Sequence, residues 1–577
     1  MTFILRSFCC IAVASFLLFN CAGRKQFTSV SGQPTGSQPT NAGSQGKELF
    51  TTHCVSCHTM EQEEIGPRLG GVTSLLSEKE LVAFIKNPNH AIESGNARAV
   101  SLSKRYKMIM PPFDFLKDEE IRSILGYIAS ETKLHNIAPL EVKTDTALNA
   151  RLAQPVIKTS LRIELEDFVT IRPSSDKMPR TRIANMRPHP SQDGTLYVSD
   201  QRGIIYRING IEVTTFVDLK NQVDDFVNEP GLGTGLGSFA FHPDYLRNGL
   251  IYITHTEPLK GKPADYAYND SIKVALQWVV SEWKMDDVKS PVFRGKRREL
   301  LRINVPNVVH GTQDIGFNPE AAKGDKDYGM LYIGTGDGGS TISKHPELCH
   351  SLHSLLGTII RIDPLGNNSK NGHYGIPADN PFTGEKGEIY KEIYSYGFRN
   401  PHRLSWHNGK LFSAEVGESN FEEVNVIVKG GDYGWNVREG NFGISSKDLK
   451  NVYPVPETET GKFEKPYLQY DHIDGNAISG GYVYEGPIAA LKDKYIFGDI
   501  VNGRIFYANI DPKLTDRSVY ELIIVRNGKE TNLVEMSGSK RVDLRVEYDR
   551  FTKQLYIMTK SDGKIRRVSK AYTLNRL

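Results

Sequence analysis

Gly249-Leu250-Ile251-Tyr252-Ile253 is a turn glycine followed by four apolar residues, aromatic and β-branched side chains among them, the composition of a short strand. The phrase recurs at Gly194-Thr195-Leu196-Tyr197-Val198, Met330-Leu331-Tyr332-Ile333, Gly409-Lys410-Leu411-Phe412, Lys494-Tyr495-Ile496-Phe497 and Lys553-Gln554-Leu555-Tyr556-Ile557. A second run often follows a glycine turn: Gly203 to Ile208, Gly357 to Ile362, Gly503 to Tyr507, Gly563 to Val568. Six copies of a strand-turn-strand unit, one every 55–85 residues, predict an all-β six-bladed propeller with long insertions over residues 161–577. A parallel α/β fold would need amphipathic helices between the strands, and none is legible.

Upstream the texture is helical and centres on Cys54-Val55-Ser56-Cys57-His58. C-x-x-C-H is the pattern of covalent c-type haem attachment, two thioethers from Cys54 and Cys57 with the adjacent His58 on the iron. A zinc site would want a second Cys/His pair nearby, and there is none. Met/His ligation is common for such haems. Met110, 52 residues beyond His58 in Met108-Ile109-Met110-Pro111-Pro112, is the first choice for the sixth ligand, with Met108 and Met60 as alternatives. Residues 45–135 are expected to form this small all-α domain. Gly46 and Phe50 share a face of a helix entering the motif. Ser77 and Glu80 make a capping box for a helix through Ile85. Asp118-Glu119-Glu120 open a last helix whose apolar face is Ile121, Ile124, Leu125 and Ile128. The stretch resembles class I cytochromes c. The resemblance implies that the Pro67 carbonyl holds His58 and that Tyr127 packs near Gly46.

Residues 1–21 read as an export signal: Arg6, then a 12-residue apolar core from Phe8 to Phe19, too short to span a bilayer. The core closes on Leu18-Phe19-Asn20-Cys21, which resembles a relaxed lipobox with Cys21 as the lipidated residue. The alternative is an ordinary export signal with a fortuitous Cys. A bacterial periplasmic location with a lipid anchor as the only membrane attachment follows. Residues 22–44, rich in Ser, Gly, Gln, Thr and Pro, read as a flexible tether, and residues 136–160 as a connector. The net charge of +3 over 577 residues carries no nucleic-acid footprint. Of six cysteines, Cys9, Cys10 and Cys21 lie in the signal, Cys54 and Cys57 take haem, and Cys349 is left alone.

Several ordered stretches of the second domain resemble the soluble PQQ-dependent aldose (glucose/sorbosone) dehydrogenases. They are Gly235-Leu236-Gly237-Ser238-Phe239-Ala240-Phe241-His242-Pro243-Asp244-Tyr245, Leu355-Leu356-Gly357 through Arg361-Ile362-Asp363-Pro364, Tyr396-Gly397-Phe398-Arg399-Asn400-Pro401, Val416-Gly417-Glu418, Gly430-Gly431-Asp432-Tyr433-Gly434-Trp435 and Ser479-Gly480-Gly481-Tyr482-Val483-Tyr484. The resemblance implies that His310 takes the proton of the anomeric hydroxyl and that Arg399 and Asn400 hold PQQ. It also implies that Lys540 or Arg541 pairs with PQQ carboxylates and that the main-chain carbonyls of Gly417 and Glu418 bind Ca²⁺. The types suit the chemistry: cations for a tri-acid quinone, hard oxygens for Ca²⁺, an imidazole base near neutrality. Four positions depart from the family: Val309 stands for its Asp, Gly233 and Gly338 for polar Gln or Glu, and Val501 for a PQQ-binding Lys. His310 as a structural turn residue and Arg399 as a packing salt bridge are the bland alternatives. Two functions therefore stand. One is a sugar dehydrogenase passing electrons through its haem to an external acceptor, a cytochrome or respiratory-chain component. The other is a non-catalytic ligand- or partner-binding propeller carrying an electron-transfer haem, as in the hedgehog-interacting type.

Overall fold

The computed structural model describes residues 41–574 except 64–65, 95, 107–109, 143–147, 149–151, 446–447, 456–460 and 511–515. Cys21 and the rest of the expected signal, like Met108, lie outside the described residues. The chain divides into two compact units. One takes in the chain through Lys86 together with Phe113–Leu140; the other takes in Asn87–Pro112 together with the chain from Glu141 onward.

The first unit is helical: α1 (Asn41–His53), α2 (Val72–Leu75), α3 (Glu78–Lys86) and, after the excursion into the other unit, a long helix Asp118–Leu134. α1 begins at Asn41, so the helix claims the last four residues of the segment read as tether. The capping box forms as expected: Ser77 N–H and hydroxyl both donate to Glu80 Oε2, at 2.8 and 2.6 Å, holding otherwise unpaired N-terminal groups of α3. Ile121, Ile124, Leu125 and Ile128 are all buried, in one core with Phe50 and Leu81. Gly46 meets the long helix so closely that a Cβ there would lie 2.1 Å from the Ser123 carbonyl and 3.1 Å from Tyr127 Cβ. Only glycine lets the first and last helices cross at that distance.

The sequence between these helices departs from the expected boundaries. Asn87–Pro112 carries two helices, Pro88–Glu93 and Ala97–Tyr106, and groups with the second unit. Ile92 and Val100 pack there against Phe421, Phe442 and Val452. The expected 45–135 domain is thus interrupted, because the apolar faces of the two short helices find their partners on the β-rich unit.

The second unit is built of antiparallel meanders. Four four-stranded sheets begin at Ile183–Pro188, Leu236–Phe241, Thr312–Phe317 and Pro401–His407. A nine-stranded sheet contains the strands beginning at Ile478–Val483 and Leu544–Asp549. Its two halves join where Ile157–Thr170 pairs in parallel with Tyr520–Arg526 and antiparallel with Lys564–Thr573. The β region therefore starts at Ile157, inside the expected connector, and stitches the start of the unit to its end. All six repeated phrases are strands, each second in its meander.

The six first strands touch in cyclic order, the last contacting the first. They share a buried polar hub. Asp314 accepts from Asn185, Arg187 and Ser238 through Oδ1 and from the Leu404 N–H through Oδ2. Tyr482 donates to Glu547 at 2.9 Å, and Arg403 reaches the Ala184 carbonyl at 2.6 Å. Every first strand contributes a group, so each buried charge finds partners only when all the sheets converge.

Candidate functional site

In the first unit, α1 delivers Cys54 and Cys57 as two unbridged thiols, with His58 next to them. Burial, then the neighbouring Cys57, pushes the Cys54 thiol up to about 11. His58 Nδ1 donates to the Pro67 carbonyl at 2.7 Å, as the resemblance implied. That bond fixes the tautomer and leaves Nε2 for iron. Burial lowers the imidazole's affinity for a proton, partly offset by the Pro67 bond; a neutral ring is the ligating form. A Cβ at Gly66 would sit 2.5 Å from His58 Cε1, so glycine is required there. The thiol pair and the oriented imidazole fit covalent haem. Met60 packs into the helical core. Met110 is half-buried and belongs to the segment that groups with the second unit.

In the second unit, antiparallel register decides where the site is. The start of each first strand faces the end of the second: Thr312 opposite Thr335, Pro401 opposite Glu415, Ile183 opposite Asp200, Leu544 opposite Thr559, Ile478 opposite Asp499. His310, Asp337, Arg399, Asn400, Gly417, Gln201, Val501 and Lys560 all flank these positions, at one end of their sheets. The loops are tied to one another: Asp337 N–H donates to the Arg399 carbonyl at 2.7 Å and Gly338 N–H to the His310 carbonyl at 3.1 Å.

His310 Nδ1 lies 2.7 Å from Asp337 Oδ1. Trp435 Nε1 donates to Asp337 Oδ2 at 3.0 Å and the Gly339 N–H to Oδ1 at 2.8 Å. Burial raises the Asp337 carboxyl, but His310 and Arg399 more than compensate and hold it below the usual range. An ionised Asp accepts only, so Nδ1 carries the proton and Nε2 is the free basic atom. Burial and the Arg399 charge push His310 down, leaving it neutral at neutral pH. Asp337 was visible in sequence only as part of a glycine-rich turn; nothing there marked it as the partner of a residue 27 positions away.

Arg399 is already engaged. Its Nη2 and Nε lie 2.5 and 2.9 Å from Glu418 Oε2, and Nη1 donates to the Val416 carbonyl at 3.0 Å. The guanidinium lies over Trp435, 5.7 Å from the ring centre. The Arg399 and Asn400 N–H groups both donate to Glu415 Oε1, at 2.6 and 2.8 Å. Glu415 Oε2 and Asn400 Oδ1 are buried without partners. Burial, with Glu423 adding, raises Glu415 well above the usual carboxylate range, and burial pushes Glu423 up to about 7. A small cavity, about the size of one water, lies among Arg399, Glu415, Gly417, Glu423, Tyr433 and Glu439. Glu439 Oε1 accepts the N–H groups of Glu418, Ser419, Asn420 and Phe421. No three His, Cys, Asp or Glu side chains converge on a metal position among the described residues. The orphaned side-chain oxygens of Glu415 and Asn400 are of the hard type that Ca²⁺ takes, and Gly417 lines the same cavity.

The two basic residues expected to meet an anionic cofactor are not the buried ones. Lys540 is exposed, and Arg541, with a side chain 62% exposed, pairs with Asp543 at 3.0 Å. They follow the short helix Leu533–Ser537, on the surface. Buried instead are His402, Arg403, Arg545 and Lys560. Lys560 Nζ has Gln201 Oε1 at 2.6 Å; burial and Arg545 push its pKa well down. Burial and Arg403 push Arg545 down to about 9. His402 Nδ1, Arg403 Nε and Arg545 Nε have no partners. Burial and the neighbouring cations hold His402 neutral, so the cations are Arg403, Arg545 and Lys560, and their crowding beside orphaned donors fits a bound anion. The strand Pro401–His407, preceded by Arg399-Asn400, carries His402 and Arg403.

These residues can take a proton at His310 Nε2, hold a carboxylate-bearing group, and seat a cation. Residues 185–567 match the Glucose / Sorbosone dehydrogenase family and residues 43–132 the Cytochrome c family. The chain is 26% identical to the HIPL1 protein of Arabidopsis thaliana over 57% of this chain and 53% of that one. It is 29% identical to quinoprotein glucose dehydrogenase B of Acinetobacter calcoaceticus, over 56% of this chain and 76% of that one. It is 24% identical to the human (Homo sapiens) Hedgehog-interacting protein, over 46% of this chain and 33% of that one. The chain spans about half the length of the first of these relatives. With the family pattern running through the sheets that bring His310, Asp337 and Arg399 together, the chain belongs to the glucose/sorbosone dehydrogenase family, with a cytochrome c region ahead of it.

Proposed function

We propose that this protein is an exported, PQQ-dependent dehydrogenase that oxidises an aldose-type substrate and passes the electrons through its own c-type haem to an external acceptor. The observation that carries the reading is the His310–Asp337 pair beside Arg399, on loops continuous with the buried Arg403, Arg545 and Lys560. When bound, PQQ supplies a two-electron acceptor and haem a one-electron relay. His310 Nε2 takes the hydroxyl proton. Asp337 keeps the proton on Nδ1 and stabilises the imidazolium that forms. Arg399 and Asn400 orient the quinone, and Arg545 and Lys560 take the roles first given to Lys540 and Arg541. Gly417, with Glu418 and Glu415, is the proposed Ca²⁺ seat. Cys54 and Cys57 would carry the haem and His58 would hold its iron, with Met110 the proposed further ligand on sequence spacing and thioether chemistry. The cyclic first strands support six blades, with the nine-stranded sheet counted as two. No helix of the described residues is long and apolar enough to cross a membrane. Lipid at Cys21 is the proposed anchor in the cell envelope, and a Cys21→Ser variant that stayed with membranes would remove it.

Likeness to the Hedgehog-interacting protein and the Arg399–Glu418 pair favour the second reading, a partner-binding propeller with a separate haem function. Calorimetric titration of the purified full chain with PQQ and Ca²⁺ separates the two. Saturable binding followed by haem reduction on adding substrate supports the dehydrogenase; no PQQ binding leaves the partner-binding reading.

A further inference from the structure

Beside His310 the abutting loops carry several apolar side chains. Leu232 is 64% exposed and Ile342 43% exposed; Val308 and Val309 precede the base directly. The loops abut: Gly233 N–H donates to the Val308 carbonyl at 3.0 Å, and a Cβ at Gly339 would lie 2.7 Å from Val309 Cγ2. Leu232 has φ +59°, a left-handed conformation that is an outlier for a bulky residue and persists only where its surroundings enforce it. The enforcement is visible: Gln201 Nε2 and Gln313 Nε2 both donate to the Leu232 carbonyl, at 3.3 and 3.2 Å.

Each of those amides thus has one bond to the Leu232 carbonyl. Gln201 Oε1 accepts from Lys560. Asn307 donates to Ser343 Oγ at 2.9 Å and accepts the Val308 N–H at 2.7 Å. Position 233 has no room for a polar side chain, since a Cβ there would stand 2.8 Å from the Val308 carbonyl oxygen and 3.1 Å from the His310 nitrogen. A ring entering beside His310 meets carbon on this side. Each ring hydroxyl placed there would lose water without gaining a partner.

We infer that the substrate is a cyclic hemiacetal or alcohol whose ring presents an apolar face to Leu232, Val309 and Ile342, in preference to a fully hydroxylated free sugar. The inference rests on the dehydrogenase reading. Oxidation of such a lactol breaks the anomeric C–H and O–H bonds and forms the lactone carbonyl. The hydride, with both electrons, goes to the quinone and the proton to His310 Nε2.

The test uses the full chain with PQQ and Ca²⁺, haem reduction as readout, and two substrates, glucose and 2-hydroxytetrahydropyran. The lactol is expected to show kcat/KM about 10–10²-fold above glucose, the range over which an apolar pocket discriminates against a hydroxyl. Leu232→Asn, whose side chain tolerates the left-handed backbone, is expected to narrow that ratio several-fold with the melting temperature unchanged. A second readout needs no turnover: saturation-transfer NMR of the full chain with the unreactive pair 2-methoxytetrahydropyran and methyl glucoside, expected to favour the former and to lose the preference in Leu232→Asn. Haem reduction with glucose equal to or better than the lactol overturns the inference and leaves the dehydrogenase standing. Reduction by neither substrate counts against the dehydrogenase, and the NMR preference then decides the inference alone, its absence overturning it.

Discussion

Two histidines of this chain are held in the same way by different oxygens. His58 and His310 each have Nδ1 2.7 Å from an acceptor, and burial lowers the proton affinity of both. The acceptor for His58 is the neutral carbonyl of Pro67; for His310 it is the carboxylate of Asp337. A carbonyl fixes the ring and leaves Nε2 as a permanent lone pair, which suits a metal ligand. A carboxylate also stabilises the ring once it has gained a proton, which suits a base. The two partners suit different tasks, although a carboxylate can also orient a metal-ligating histidine.

The comparison breaks most visibly if His310 is not a base. His310→Ala is expected to lower turnover of the PQQ-loaded protein by about 10²–10⁴-fold with PQQ affinity nearly unchanged by calorimetry; a loss of affinity alone would make it a packing residue. Asp337→Asn is expected to lower turnover, by up to about 10⁴-fold, and to move the pH profile. The working form of His310 is neutral, so rate rises as pH climbs through its pKa. Asp337 raises that pKa, so the Asn variant should reach its lower plateau at more acidic pH; an unmoved acid limb would show that the carboxylate does not act through His310.

On the haem side, Met110→Ala should leave the haem covalently attached and lower its reduction potential by tens of millivolts or more, inside the roughly 0.8 V that axial ligation spans. An unchanged potential and spectrum would shift the sixth ligand to Met108 or a nitrogen donor. The smallest effect tests the anion argument. Lys560→Met should raise the stability of the cofactor-free protein by about 1 kcal/mol or more, because it removes an uncompensated buried cation, while weakening PQQ. A lower melting temperature without PQQ would mean that the charge is already balanced.

How much was legible follows the same division. The helices around His58 were readable because their signals are local: the Ser77/Glu80 box, the 121-124-125-128 stripe, and Pro67 nine residues from His58. The repeated strand phrases were readable because each is a contiguous period. The departure of Asn87–Pro112 from the helical unit was not, because the partners of Ile92 and Val100 stand more than 300 residues away at Phe421, Phe442 and Val452. Lys540 and Arg541 stand beside Val542-Asp543 in sequence, and only burial separates them from Arg545 and Lys560.

Sequence alone determined the chemistry on offer: two thiols and an imidazole in five consecutive residues, a histidine before one strand, an Arg-Asn pair before another, and six strand repeats. Those are properties of neighbours along the chain, where spacing sets geometry within a turn or two. Tertiary structure decided which of them meet. The antiparallel register brings the start of each first strand opposite the end of the second, and the shared Asp314–Arg403–Glu547 hub draws the first strands together. That convergence makes Asp337 the partner of His310, engages Arg399 with Glu418, buries Arg545 and Lys560, and leaves Leu232 at the mouth. Contacts between residues tens to hundreds of positions apart depend on how sheets close around one another, and no local period encodes that closure.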